Sequence, residues 1–261
     1  MSRFIILKPL WIAACLSLTA WPTLADITLV GRSAIVAMNL QGAGQEKVWF
    51  DSTQVRRDLL DRGKAYSNLY DMRAREIIVL DHSQHLATVY DTSALKQQWH
   101  VAVDEKAIKL DLQPTGRRHT LKKWPCVEHR LDFAMPAEVG EEKLSFEMSG
   151  TVWLAKNTPE QKETAAMLKL MQAPDFFVGV PGLNRSSQIQ AQGLSVAVRR
   201  IAPLGLLCSV DVDMKYEGTG RVATLSRKMT SRVSLTFDDY DTTPIPKGTF
   251  EIPQGYRVVR Q

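Results

Sequence analysis

His82 and His85 stand three residues apart beside Asp81, a spacing that offers two metal-binding nitrogens on one side only if the segment is helical. The flanking residues read as strands, so both histidines fall in a turn with no third ligand near in sequence. No metal and no cofactor is expected. Asp238, Asp239 and Asp241 gather three carboxylates, and Asp211 and Asp213 alternate along one strand. Calcium takes oxygen ligands of this kind, but the segment lacks the glycine and closing glutamate of an EF-hand loop. Solvated strand ends account for them, since Asp is seldom buried unpaired. A nucleophilic serine needs a positioned base and a strained elbow, and no G-x-S-x-G occurs; Gly193-Leu194-Ser195 lacks the second glycine. Gly218-Thr219-Gly220 is a lone G-x-G without the third glycine or later acid of a dinucleotide site. A non-enzymatic protein is therefore expected, with a hydrolase as the alternative.

Arg117, Arg118 and His119 with Lys122 and Lys123 form a basic patch, suited to anionic lipid headgroups or an acidic partner, or else a solvated hairpin. The chain as a whole is only mildly basic. Its 261 residues hold 33 Lys and Arg against 28 Asp and Glu, a net +5. Arg3 and Lys8 lie in a stretch read below as removed, which leaves 31 basic against 28 acidic residues, or +3. That is too weak for nucleic-acid binding, which neutralises phosphates with many cations.

Met1 to Pro9 carry both of those charges, and Leu10 to Trp21 (LWIAACLSLTAW) form an uncharged apolar run too short to span a bilayer as a helix. Thr23-Leu24-Ala25 ends it with small residues before Asp26. This is the layout of a secretory signal peptide over residues 1–25, which places the remainder, 26–261, in the periplasm. The alternative is a lipoprotein cut at Ile12-Ala13-Ala14-Cys15, anchored through Cys15, although only Leu10 to Ala14 would then serve as apolar core. No second long apolar run follows Asp26, so the mature chain is not expected to span a membrane. Export leaves Cys126 and Cys208 as an even pair in an oxidising compartment, and a disulfide is the natural reading. Two separate buried thiols are the alternative.

The elements that position these residues are mostly strands. Apolar and polar residues alternate over 27–40, 47–50, 54–60, 66–72, 76–80, 86–90, 108–112, 126–135, 144–156, 206–216, 231–240 and 250–259, with turn residues between. Short connections make such strands antiparallel. Helices are expected at 159–171, after Thr158 as cap with Gln161 completing a capping box, at 187–201 despite Gly193, at 222–229 and at 95–103. No linker divides the chain, so residues 26–261 read as one α+β domain, a curved antiparallel sheet covered by three or four short helices.

Met167, Leu170 and Met171 lie toward the end of the first helix, and Phe176, Phe177 and Val178 follow in a loop flanked by Gly179 and Gly182. Together they are candidates for a lid over an apolar groove. The competing reading makes them ordinary core.

Several stretches carry a resemblance. They are Gln54-Val55-Arg56-Arg57-Asp58, Glu76 to Asp81, Ala87-Thr88-Val89-Tyr90, Trp124 to His129, Ser149 to Lys156, and the close from Pro244 to Tyr256, a P-x-x-x-F-x-[IV]-P-x-G-Y ending. The chain resembles an exported bacterial domain-of-unknown-function family, number 4412, over nearly its whole mature length. It departs by having Trp124-Pro125 where a glycine-containing turn is expected. That family is distantly similar to the periplasmic lipoprotein carriers of the LolA and LolB kind. The resemblance implies an open half-barrel with a concave apolar face under a helical lid.

The expected function is that of a non-enzymatic envelope protein binding a lipid or acyl chain in that groove, or docking an envelope protein partner. The alternative is a structural or sensing module with a packed core and no small ligand.

Overall fold

Three hairpins are closed by one device, an aspartate that accepts the backbone N–H groups two and three residues on. Asp51 Oδ1 takes those of Thr53 and Gln54, both at 2.7 Å. Asp71 Oδ1 takes those of Arg73 and Ala74 at 2.9 and 2.8 Å, and Asp81 Oδ1 takes those of Ser83 and Gln84 at 2.9 and 3.1 Å. The last two turns each end on a left-handed residue, Arg75 at φ 57° and His85 at φ 48°. His85 is thus the closing residue of a hairpin.

The computed structural model describes residues 26–37, 40–61, 64–91, 106–139, 141–170, 185–228 and 231–261. Its strands are β1 Ile27–Ala37, β2 Leu40–Phe50, β3 Gln54–Asp61, β4 Lys64–Asp71, β5 Glu76–Asp81, β6 Leu86–Asp91, β7 Lys109–Leu121, β8 Trp124–Val139, β9 Glu142–Ala155, β10 Leu206–Gly218, β11 Ser231–Asp241 and β12 Arg257–Arg260. The described helices are α1 Glu160–Leu170, α2 Arg185–Ile201 and the six-residue α3 Arg221–Ser226, with a 3₁₀ turn at Ala202–Leu204. All twelve strands join one sheet in the order β12-β6-β5-β4-β3-β2-β1-β11-β10-β9-β8-β7. It is antiparallel except where β12 runs parallel to β6, and β12 and β7 are its two ends.

This overturns the α+β half-barrel covered by three or four helices. All twelve strands fall in one large sheet that is not closed, and the helices among the described residues are too few to clad it. The physical reason is that the sheet covers much of itself. Cross-strand partners set Tyr90, Ile77, Tyr70, Val55, Phe50 and Ile27 in a single row over six strands. That row packs in one cluster with Trp124, Cys126, Ala155, Cys208 and Tyr240 from the other half of the sheet. Strand residues therefore meet strand residues where helices were expected.

A second cluster does use a helix. Ile189, Val196, Ala197 and Ile201 of α2 pack with Leu131, Phe133, Met135, Phe146 and Val152 of β8 and β9. Gly193 makes this possible, because a Cβ there would stand 2.5 Å from the Phe146 ring. The residue that weakened the helix in sequence is the one that lets it lie close. Gln161 reaches back as a capping side chain, although to the N–H of Asn157 at 3.2 Å and not to Thr158. The helix expected at 95–103 lies outside the described residues. No described helix is long and apolar enough to cross a membrane.

The face of β4 to β6 opposite the row is covered by the C-terminal segment. Ile252 and Tyr256 pack on Leu69, Leu80 and Ala87. The segment is tied at Asp26, which accepts the Ile245 N–H at 2.9 Å, and at Thr249, whose carbonyl accepts Arg56 Nη1 at 2.9 Å. Residues 250–255 run in turns and bends, with Gly255 at φ 88°, and only then does β12 pair with β6. The strand expected over 250–259 is thus confined to its end, because Pro253 has no N–H to give a ladder.

Candidate functional site

Neighbouring strands place Asp58 opposite Ser67, and Arg56 precedes Asp58 by two residues on the same face of β3. His82 opens the turn after β5, and the C-terminal segment brings Tyr256. These five form one hydrogen-bonded cluster. Ser67 Oγ lies 2.6 Å from Asp58 Oδ1, 2.6 Å from His82 Nε2 and 3.1 Å from Arg56 Nη2, and His82 Nδ1 lies 2.5 Å from the Tyr256 hydroxyl. Arg56 also grips Asp58 through Nε at 2.7 Å.

One set of donors satisfies every atom. Tyr256 O–H donates to His82 Nδ1, Nε2–H donates to Ser67, Arg56 donates to Ser67, and Ser67 O–H donates to Asp58. A serine beside a histidine is the pairing that nucleophilic catalysis uses. Here the serine oxygen is saturated and Ser67 is 0% exposed. The ring nitrogen that would need an orienting carboxylate meets a phenol instead. The arrangement suits anchoring of the C-terminal segment to the sheet.

The basic patch is divided by its partners. Arg117 Nε donates to Glu128 at 2.5 Å, and Thr115 Oγ1 donates to the same carboxylate oxygen at 2.6 Å. Lys123 pairs with Glu160 at 2.7 Å. Burial raises the Glu160 carboxyl, but the hydrogen bond and charge of Lys123 outweigh it and hold the group below its ordinary value. Arg118 and His119 instead join Lys156, Thr120, Pro125 and Val127 around an open cleft of about 710 Å³. Arg118 and Lys156 make no ion pair among the described residues.

The expected disulfide is present between Cys126 and Cys208. The lid candidates stay apart from this picture. Met167 and Leu170 belong to α1, but their side chains, like Met171, Phe176, Phe177 and Val178 altogether, lie outside the described residues. Asp211 is taken by Arg232 and Ser234, Asp238 by Arg32, and Asp241 by Thr243. Among the described residues no group of three His, Cys, Asp or Glu is placed to hold a metal ion. Sequence reasoning gave no site role to Arg56, Asp58, Ser67, Lys156 or Tyr256; strand alternation could have put Arg56 and Asp58 on one face of β3, but their meeting with Ser67 depends on register.

No family model matches the chain, and no curated protein matches it. Among solved structures it is similar to PNGF-II at 8% identity and a TM-score of 0.32, over 91% of this chain and 31% of that one. It is also similar to a DUF1329 family protein from Desulfovibrio piger at 8% identity and a TM-score of 0.30, over 87% of this chain and 90% of that one. The chain thus spans about a third of the length of the first. Likenesses of this degree carry no argument about function.

Proposed function

We propose that this is a non-enzymatic exported envelope protein acting as an interaction module, a rigid sheet with a filled interior that docks a partner on its surface. The observation that carries the reading is the cluster joining the two halves of the sheet. Trp124, Phe50, Ile27 and Cys208 are each at most 2% exposed there, so side chains occupy the space between the strands. Interiors packed in this way are stiff, and among the described residues of this cluster no space is left for a chain-like ligand. The saturated Ser67 and His82 support the non-enzymatic part.

Export through a signal peptide over residues 1–25, delivering residues 26–261 to the periplasm, belongs to the same reading. The Cys126–Cys208 bond supports it, since disulfides persist in oxidising compartments. N-terminal sequencing of the mature protein tests it. A start at Asp26 agrees, whereas an intact Met1 or a lipid-blocked Cys15 contradicts it. The module reading itself is tested by incubating the protein with a fluorescent fatty acid and with chromogenic esters. Neither uptake nor turnover is expected. Saturable uptake would return the protein to the acyl-carrier class, and turnover lost on Ser67→Ala would make it a hydrolase.

A further inference from the structure

The irregularity in β7 decides which cation is left over. Pro114 faces His129 and Arg118 faces Val127, so residues 115–117 bulge out against Glu128 alone. Within that bulge Thr115 and Arg117 both donate to Glu128, which is 3% exposed. The carboxylate standing opposite this stretch is therefore consumed and cannot neutralise Arg118. On the other side of the hairpin Lys123 is held by Glu160. Pairing is complete around the cleft, and within it Arg118 and Lys156 have no carboxylate among the described residues.

We propose that this cleft binds a phosphate ester, and so gives the docking module an anionic partner. The donors have the right chemistry: the Arg118 guanidinium, the Lys156 ammonium, the His119 imidazole and the Thr120 hydroxyl line one open cleft at the edge strand, with Arg118 and Thr120 on the same face of β7. A phosphate monoester presents three terminal oxygens and close to two negative charges to these two cations and their neighbours, whereas a carboxylate presents two oxygens and one charge. One of the donors, His119, is also held in place. His119 pairs with Cys126 across the strands, Cys126 is bonded to Cys208, and the His119 ring stands edge-on to Trp153 at 6.2 Å and 79°. The size fits as well, because about 710 Å³ falls within the range of ordinary ligand sites and far exceeds an inorganic phosphate. Pro125 and Val127 offer an apolar margin for the organic part of an ester.

The inference rests on the module reading by naming what the module docks, and its test can fail independently. Glycerol 3-phosphate is titrated into the protein by calorimetry, and sedimentation is measured with phosphatidylglycerol vesicles and with phosphatidylcholine vesicles. Saturable binding of glycerol 3-phosphate is expected, weakened at least tenfold in Arg118→Ala/Lys156→Ala. A control, Lys109→Ala/Lys143→Ala, removes the same charge elsewhere and should leave it unchanged. Sedimentation with phosphatidylglycerol that the cleft variant loses makes the source a lipid headgroup; its absence, with glycerol 3-phosphate still bound, makes it a soluble ester. The proposal is overturned if neither probe binds, if both double variants weaken binding equally, or if a glutamate-rich peptide binds the cleft more tightly than the ester. Both substituted side chains are exposed, so the melting temperature should not move. Should it fall, Arg118→Gln/Lys156→Gln serves as the second variant and is read by the same criteria. Acyl uptake into the interior would overturn the module reading and leave this site standing.

Discussion

Cys208 is the residue that the β10 bulge leaves without a partner, since Leu207 faces Leu154 and Ser209 faces Trp153, and it bonds to Cys126 two strands away with the Cα atoms 6.6 Å apart. The strand between them contributes Ala155 at the level of Cys126, a side chain small enough to lie under the bridge. A bulge normally weakens a ladder; here it brings together two strands that are not neighbours. The bond closes 82 residues that include β9, α1 and α2. Cys126→Ser/Cys208→Ser should lose about 4 kcal/mol by the chain-entropy argument, read by denaturant unfolding under oxidising conditions. The unreduced native protein should show no free thiol at either position.

The Tyr256 hydroxyl ties the C-terminal segment to His82, and Ile252 and the Tyr256 ring cover Leu69, Leu80 and Ala87. Truncation after Thr249 should therefore lower the melting temperature by many degrees and expose that face to a hydrophobic dye. Tyr256→Phe keeps the ring and removes one hydrogen bond, for a loss of about 1 kcal/mol. An unchanged melt after truncation would show the segment to be dispensable.

Tyr240 is fully buried, stands edge-on to Trp124 at 5.2 Å, and donates to the Leu207 carbonyl at 2.5 Å. Burial pushes its phenol well above the ordinary value of 10.0. The folded state keeps this proton where the unfolded chain releases it, so the stability it contributes is complete below about pH 10 and lost as pH rises beyond it. Tyr240→Phe should cost about 1 to 2 kcal/mol at neutral pH by leaving the carbonyl unmet. In alkaline unfolding curves the variant should show a shallower decline than the parent.

Glu160 provides the opposite sign. Its folded value is lowered, so the stability it contributes is present above the ordinary 4.5 and disappears as pH falls through the lowered value. Glu160→Gln should reduce the melting temperature at pH 7 and match the parent in strong acid. A difference that persists in strong acid would assign the effect to packing.

Much of the strand pattern was legible because alternation and Asp-led turns are local signals. The hairpins from Gln54 to Asp91 lie close to where the spacing puts them. The β1–β2 hairpin was harder to read, because Gly42 and Gly44 dilute the alternation in β2. The cover of the sheet was read wrongly. Helices were assigned a task that Trp124, Tyr240 and the row from Tyr90 to Ile27 perform by strand-to-strand contact, and contacts between residues so far apart in sequence leave no periodic mark. The Cys126–Cys208 bond was legible by counting, but the bulge that permits it was not. The Arg56, Asp58, Ser67, His82 and Tyr256 cluster was hidden for a related reason: its members lie on three strands' worth of register and a distant tail, and a shift of one residue would disperse them.

The filled interior is the central claim, and native mass spectrometry of the protein purified without detergent from the cells that make it tests it most directly. The account predicts the bare mass of residues 26–261 with one disulfide, or a phosphate-ester adduct that Arg118→Ala/Lys156→Ala abolishes. A fatty-acyl adduct that survives in that double variant would place a ligand inside the sheet and contradict it.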